Sequence, residues 1–273
     1  MNAREVAGAA ARRLEAAGLE DARFEAEVLV REAAGISRAA YFAGAVLEGE
    51  ARRRLEAWLE RREQREPLAY ITGWREFYGR RFAVGPGVLI PRPETELLVE
   101  IALEELRGAP GATVVEVGTG SGAVAVSVAA EAPAARMAAT DISPVALRFA
   151  RLNAAAHAPG VQLLLGNLAT PIGRADIVLA NLPYIPSAEI DALEPEVSRW
   201  EPRVALDGGS DGLRLVRELI ADCAVRLRPK LLALEVGFGQ AEPVAALGRA
   251  AGARAALVVD LAGINRVVCL RWA

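Results

Sequence analysis

Chemistry is most clearly written in the run Glu116-Val-Gly118-Thr119-Gly120-Ser121-Gly122, which follows one apolar stretch and opens another rich in alanine and valine. Glycines at this spacing permit a tight turn from strand to helix and let a ligand lie against the backbone. Asp141 ends the next apolar stretch, where a carboxylate can accept hydrogen bonds from a ribose diol. Together they imply a cofactor with a nucleoside half. They do not choose it, because Gly118-x-Gly120-x-x-Ala123 also satisfies a dinucleotide fingerprint, whose acid lies about 20 residues on.

Glu116 leans the choice. An acid at a strand end just before the first glycine is usual in S-adenosylmethionine enzymes, whose bound methionine carries an ammonium group needing an acceptor. The segment Asp176-Ile-Val-Leu-Ala-Asn181-Leu182-Pro183-Tyr184 goes further. An Asn leaving a buried strand and followed by x-Pro-aromatic resembles the Asn-Pro-Pro-Tyr signature of amino methyltransferases, which act on planar NH2 groups bonded to an sp2 carbon. Such nitrogens are poor nucleophiles because their lone pairs are delocalised. The Asn181 side-chain oxygen and the carbonyl of Leu182 can take both N–H hydrogens, and these bonds strengthen as positive charge develops on nitrogen. Tyr184 can stack on the flat acceptor group, and Pro183 stiffens the turn. A methylated amide cation is acidic enough for water to take its proton, so no general base is required. Leu182 stands where the signature has proline; it retains a carbonyl, so what changes is rigidity.

Three kinds of element must position these residues. Residues 1–65 read as helices of alanine, leucine, glutamate and arginine, broken near Gly18, Gly35 and Gly44–Gly49. Leu55, Trp58 and Leu59 recur at helical spacing, and Trp58 and Phe24 are expected in the core. With 12 Arg against 12 Asp plus Glu, this module is no basic nucleic-acid arm. Residues 66–93 form a hairpin and linker: Leu68–Thr72 and Glu76–Val84 are rich in β-branched and aromatic residues, and Gly85-Pro86-Gly87 and Pro91-Arg92-Pro93 follow. Residues 94–273 open with a helix over Glu94–Arg107. Strands are then expected at Thr113–Val117, Met137–Asp141, Val161–Leu165, Asp176–Ala180, Leu231–Val236, Ala256–Asp260 and Arg266–Arg271. Helices at Ala123–Ala130, Pro144–Ala156, Gly212–Leu227 and Ala241–Ala250 alternate with them. That alternation means a doubly wound α/β sheet, with ligands beyond the carboxyl ends of its strands.

Four further segments resemble one family. Pro67-Leu-Ala-Tyr70-Ile-Thr-Gly73 with Glu76-Phe77, and Ile90-Pro91-Arg92-Pro93-Glu94-Thr95-Glu96, look like the stretch joining the two domains of peptide-chain-release-factor glutamine N5-methyltransferases. Glu201-Pro202 through Gly208-Gly209-x-Asp211-Gly212-Leu213 looks like that family's loop after the tetrapeptide. Leu234-Glu235-Val-Gly237-x-Gly239-Gln240 with Asp260-x-x-Gly263-x-x-Arg266 resembles its closing strands. The resemblance implies a mostly parallel seven-stranded S-adenosylmethionine methyltransferase sheet behind a small helical substrate-docking domain. It also implies methylation of the glutamine in the Gly-Gly-Gln motif of class 1 release factors, with S-adenosylhomocysteine as by-product. By position, Glu116 and Gly118 to Gly122 would meet the cofactor's methionine half, Asp141 its ribose, and Asn167 and Leu168 its adenine. Asn181, Leu182, Pro183 and Tyr184 would hold the glutamine amide, with Arg92 and Glu94 on the pocket wall and Asn181 also beside the cofactor.

Composition narrows the classes. The 273 residues are 53% hydrophobic and 25% charged, enough to bury a core. Lys230 is the only lysine, and 32 cations against 35 acids leave a net charge of −3, which argues against a polyanion partner. One histidine, His157, reads as a solvated helix-end residue; Cys223 and Cys269 read as buried fillers, so neither a zinc cluster nor a disulfide scaffold is expected. No apolar run is long enough to span a membrane, and Met1–Arg13 does not read as a signal peptide. A cytoplasmic monomer without metal is the expectation. A nucleic-acid amino methyltransferase shares the tetrapeptide and competes with this reading. A nicotinamide oxidoreductase or inactive cofactor-binding module also competes, although Asn181–Tyr184 has no evident hydride-transfer role.

Overall fold

The computed structural model describes residues 1–272 and divides into two compact units: Met1–Trp74 with Glu194–Trp200, and Arg75–Leu193 with the chain from Glu201 onward. The first unit holds α1 (Ala3–Ala16), α2 (Ala22–Ala34), α3 (Arg38–Phe42), α4 (Gly49–Glu63) and α5 (Leu68–Thr72). A capping box starts α1: Asn2 Oδ1 accepts from the Arg4 N–H, and the Glu5 carboxylate accepts from the Asn2 N–H. Leu14, Leu29, Val30, Leu55 and Leu59 are buried together, each worth roughly 1.5–3 kcal/mol of transfer free energy. Trp58 packs against this core as expected. Phe24 does not and is 66% exposed. The buried positions of α2 are Ala22, Ala26, Leu29, Val30 and Ala33, so Phe24 falls on the opposite face.

The expected extended segment Leu68–Thr72 is instead the helix α5. Pro67 supplies a helix-compatible start, Ala69, Tyr70 and Ile71 bury themselves, and Gly73 ends the turn in the left-handed region at φ 83°. Burial outweighs the β preference of Tyr70 and Ile71. The hairpin forms just beyond, from β1 (Trp74–Phe77) and β2 (Arg80–Ala83), about a Tyr78-Gly79 turn with both residues at positive φ. Phe77 and Phe82 cross edge to face with ring centres 6.0 Å apart.

In the second unit α6 (Glu96–Gly108) leads into β3 (Thr113–Val117), α7 (Ala123–Glu131), β4 (Arg136–Asp141), α8 (Pro144–His157), β5 (Gln162–Leu165) and β6 (Ile177–Ala180). The short α9 (Pro195–Ser198) lies in the segment that belongs to the first unit, where buried Arg62 bridges Glu25 at 2.6 Å and Glu196 at 2.9 Å. The chain then forms α10 (Arg214–Asp222), β7 (Leu231–Glu235), α11 (Ala241–Ala250), β8 (Arg254–Val259) and β9 (Asn265–Arg271). The helix expected to run unbroken from Gly212 to Leu227 begins at Arg214 and widens to a π-helix over Cys223–Leu227, where Arg226 donates to the carbonyls of Ala169 and Ile172.

The seven strands lie in the order β5-β4-β3-β6-β7-β9-β8, and only β9 runs antiparallel to its neighbours. Val114, Ala139, Leu179 and Ala233 face one buried cluster with α6 and α7; Val115, Val178, Leu232 and Leu234 face another with α10 and α11. Burial on both faces explains the continuous apolar runs of the central strands. The strand order reverses between β3 and β6, the place where such sheets open a crevice.

Candidate functional site

A cavity of about 870 Å³ opens at the carboxyl ends of β3, β4 and β6. Its lining includes Glu116, Gly118, Thr119, Gly120, Ser121, Asp141, Asn167, Leu168, Asn181, Leu182, Pro183 and Arg92, all singled out by sequence. Gly122, Glu94 and Tyr184 lie outside the lining. Gly122 serves the helix behind the loop: a Cβ there would come within 3.2 Å of the Ala150 backbone on α8.

The loop's hydrogen bonds restrict what it can hold. The N–H groups of Gly118 and Thr119 both go to the Thr140 carbonyl, that of Gly122 to Thr119, and that of Gly120 to Asp141 Oδ2 at 2.8 Å. Glu116 Oε2 accepts from the Ala125 N–H at 2.9 Å, so the N-terminus of α7 already faces a carboxyl group. A pyrophosphate needs free N–H donors here, and most are spent. An ammonium needs acceptors. Glu116 provides one: Oε2 is taken by Thr119 and Ala125, whereas Oε1 has no donor among the described residues. Burial pushes the Glu116 carboxyl up to about 8, against the pull of those two bonds and with a further push from Asp141.

Asp141 is aimed from both sides, by the Gly120 N–H and by the Ser143 N–H at 2.8 Å on Oδ1. Burial raises its pKa, and the N–H groups of Ser143, Gly120 and Ile142 oppose the rise. Leu168, at φ 46°, is fixed by Thr140 Oγ1 donating to its carbonyl at 2.8 Å, and Asn167 beside it is exposed.

Asn181 leaves β6 with its Nδ2 donating to Thr95 Oγ1 at 3.1 Å. That bond turns Oδ1 the other way, and neither Oδ1 nor the Leu182 carbonyl receives a donor among the described residues. Two acceptors thus stand free next to each other on the cavity wall. The Leu182 side chain is buried against the glycine loop, its Cδ2 3.3 Å from where a Gly118 Cβ would be, so packing supplies the rigidity that proline gives elsewhere. Tyr184 is clamped behind. Gln240 Nε2 donates to its carbonyl at 2.8 Å, and a Cβ on Gly212 (φ 75°) would sit 2.1 Å from that same oxygen. Burial raises the Tyr184 phenol, followed by the nearby charge of Glu235.

Arg92 reaches Glu201 Oε1 at 2.5 Å, and Glu201 Oε2 accepts from the Ile90 N–H at 3.3 Å, so a buried carboxyl pins the linker to the loop after the tetrapeptide. Val88, Ser187, Arg203, Val204, Asp207 and Arg214 also line the cavity and were not among the expected site residues; Arg203, Val204 and Asp207 lie within the Glu201–Leu213 motif, which is their only signal. His157 is half-buried, not solvated: its Nε2 donates to the Arg81 carbonyl at 2.8 Å and its ring lies 5.5 Å from Phe82. Cys223 and Cys269 are buried, and burial pushes their thiols up to about 12 and about 11.

Sheet order, switch-point cavity and glycine loop define a methyltransferase of the S-adenosylmethionine-binding α/β class. Solved structures agree on the fold: a methyltransferase from Pyrococcus furiosus (TM-score 0.53, 17% identity, 71% of this chain and 89% of that one) and the hMettl16 catalytic domain bound to an RNA hairpin (TM-score 0.57, 15% identity, 85% of each chain). Residues 5–73 match the family model described as PrmC N-terminal domain, and residues 93–193 match that described as methyltransferase small domain. Proteins named release factor glutamine methyltransferase are similar over nearly the whole chain. The one from Cereibacter sphaeroides is 44% identical over 99% of each chain, that of Moorella thermoacetica 44% over 97% of each, and that of Geobacter sulfurreducens 42% over 92% and 90%. The chain belongs to the release factor glutamine methyltransferase family.

Proposed function

We propose that this protein methylates the side-chain amide nitrogen (N5) of the glutamine in the Gly-Gly-Gln motif of class 1 peptide chain release factors, using S-adenosylmethionine. The observation that carries this is the pair of free acceptors, Asn181 Oδ1 and the Leu182 carbonyl, on the wall of a cavity that also holds Glu116 and Asp141. The cavity suits the cofactor because its loop offers acceptors to a cation and few donors to a phosphate. When bound, S-adenosylmethionine supplies a sulfonium-activated methyl group. Glu116 Oε1 holds the ammonium of its methionine half, Asp141 the ribose diol, and Asn167 and Leu168 flank the adenine.

The tetrapeptide does the remaining work. Asn181 Oδ1 and the Leu182 carbonyl accept the two N–H hydrogens of the glutamine amide and aim its nitrogen. Positive charge gathers on that nitrogen in the transition state, so both bonds strengthen there; removing a comparable fixed partner costs about 2.7–4 kcal/mol of barrier. Water takes the proton. Tyr184 supports the turn from behind the cavity wall, while Arg92 shapes the entrance.

A glutamine side chain offers too little surface to select its carrier, so the helical unit docks the release factor and raises the local concentration of its loop. The enzyme acts as a cytoplasmic monomer without a nucleic-acid partner; among the described residues no helix is long and apolar enough to cross a membrane. Incubation with labelled S-adenosylmethionine tests the reading. Label should enter intact release factor, not a variant whose Gly-Gly-Gln glutamine is alanine, and not bulk nucleic acid. Equal labelling of the alanine variant, or labelling of nucleic acid instead, overturns it.

A further inference from the structure

Glu235 closes β7, whose parallel register with β6 pairs Leu234 with Ala180 and so sets Glu235 beside Asn181 on the neighbouring strand, about 4.8 Å away. Side chains at paired positions share a face, and α6, which begins one residue after Thr95, packs on β6 and β7. Glu235 is 2% exposed, and its Oε2 has no hydrogen-bond partner among the described residues. Thr95 is also buried, and its nearby hydroxyl favours the ionised form of the Glu235 carboxyl. The same Thr95 oxygen receives the Asn181 amide hydrogen at 3.1 Å.

A threonine hydroxyl has one hydrogen, and a carboxylate can only accept. Thr95 Oγ1 spends a lone pair on Asn181 Nδ2, which leaves its one hydrogen for the ionised Glu235 carboxylate and turns Asn181 Oδ1 to the cavity. We propose that Glu235 and Thr95 are positioning residues, a two-step hydrogen-bond relay that fixes the Asn181 amide with its oxygen toward the acceptor nitrogen. This deepens the methyl-transfer reading and rests on it. The relay reverses when Glu235 is protonated, because a carboxylic acid can donate to Thr95 Oγ1, freeing the threonine hydrogen to point at Asn181 and turn its amide round. Burial pushes Glu235 up to about 7, with Thr95, Arg266 from β9 and Arg92 from the linker pulling down and Glu94 pushing up; Tyr184 faces it from the tetrapeptide.

The test is steady-state methylation of intact release factor at saturating S-adenosylmethionine across pH 5.5–9 (about), alongside cofactor Kd, for wild type, Thr95→Val, Thr95→Ser and Glu235→Gln. Thr95→Val should lose about 10- to 100-fold in kcat with Kd unchanged, and Thr95→Ser should recover to within about 3-fold of wild type. Wild-type kcat should fall below about pH 7, and Glu235→Gln should abolish that acidic limb. Thr95→Val turning over like wild type, Thr95→Ser failing like Thr95→Val, or an acidic limb that survives in Glu235→Gln each overturns the relay. Absence of methyl transfer in the wild type is a separate outcome: it removes the parent reading and the relay with it.

Discussion

Glu116 Oε2 accepts the Ala125 N–H at 2.9 Å, so this carboxyl both caps the helix behind the glycine loop and lines the cavity in front of it. Its elevated pKa gives the position a measurable signature. At pH 7 a carboxyl with pKa about 8 is mostly protonated. An ammonium bound at Oε1 favours the charged form and lowers that pKa, so S-adenosylmethionine binding at pH 7 should release close to one proton. Calorimetry in buffers of different ionisation enthalpy reads this directly; binding heats independent of buffer contradict it.

The same group affects stability without ligand. An acid whose pKa rises on folding, here from 4.5 to about 8, favours the folded state below the lower value and loses that contribution as pH climbs to the upper one. Ligand-free Tm should therefore decline across this window, and Glu116→Gln should flatten the decline. An identical pH profile in the variant contradicts the assignment.

In the proposed site Asp141 governs cofactor affinity. Its carboxyl is held by the Gly120 N–H on Oδ2 and the Ser143 N–H on Oδ1 and faces the cavity. Asp141→Ala should weaken S-adenosylmethionine binding by about 1.5–3 kcal/mol. Unchanged affinity by calorimetry removes Asp141 from the site.

Arg62 carries a stability prediction for the helical unit. It is 4% exposed and satisfies Glu25 and Glu196 together. Arg62→Met leaves the half-buried Glu25 carboxylate without its cation and Glu196 with Arg65 alone, which should cost about 3 kcal/mol. Denaturant unfolding that shows less than about 1 kcal/mol of loss would place the pair among the weak surface bridges.

Much of this architecture was legible in the chain itself, for reasons that also show where legibility stops. Thr113–Val117, Asp176–Ala180 and Leu231–Val236 read as strands because burial on both faces forces largely apolar runs. Tyr70 and Ile71 misled because their β preference is local, whereas the burial that folds them into a helix comes from distant residues. Phe24 misled because hydrophobicity alone does not reveal which helix face is covered. Glu116, Asp141 and Asn181 were legible because strand-end residues beside glycine or proline carry spacing information. Thr95 and Glu235 meet only through the register of β6 with β7 and the placement of α6, which no local pattern encodes.

In the proposed reaction Asn181 acts on the transition state and not on cofactor binding, since its Oδ1 is a free acceptor fixed in place before substrate arrives. The most direct measurement is single-turnover methylation of intact release factor by Asn181→Ala, with S-adenosylmethionine Kd measured on the same preparation. The rate should fall by about 100-fold or more with Kd within about 2-fold of wild type. A folded Asn181→Ala protein that methylates at a near wild-type rate would contradict it.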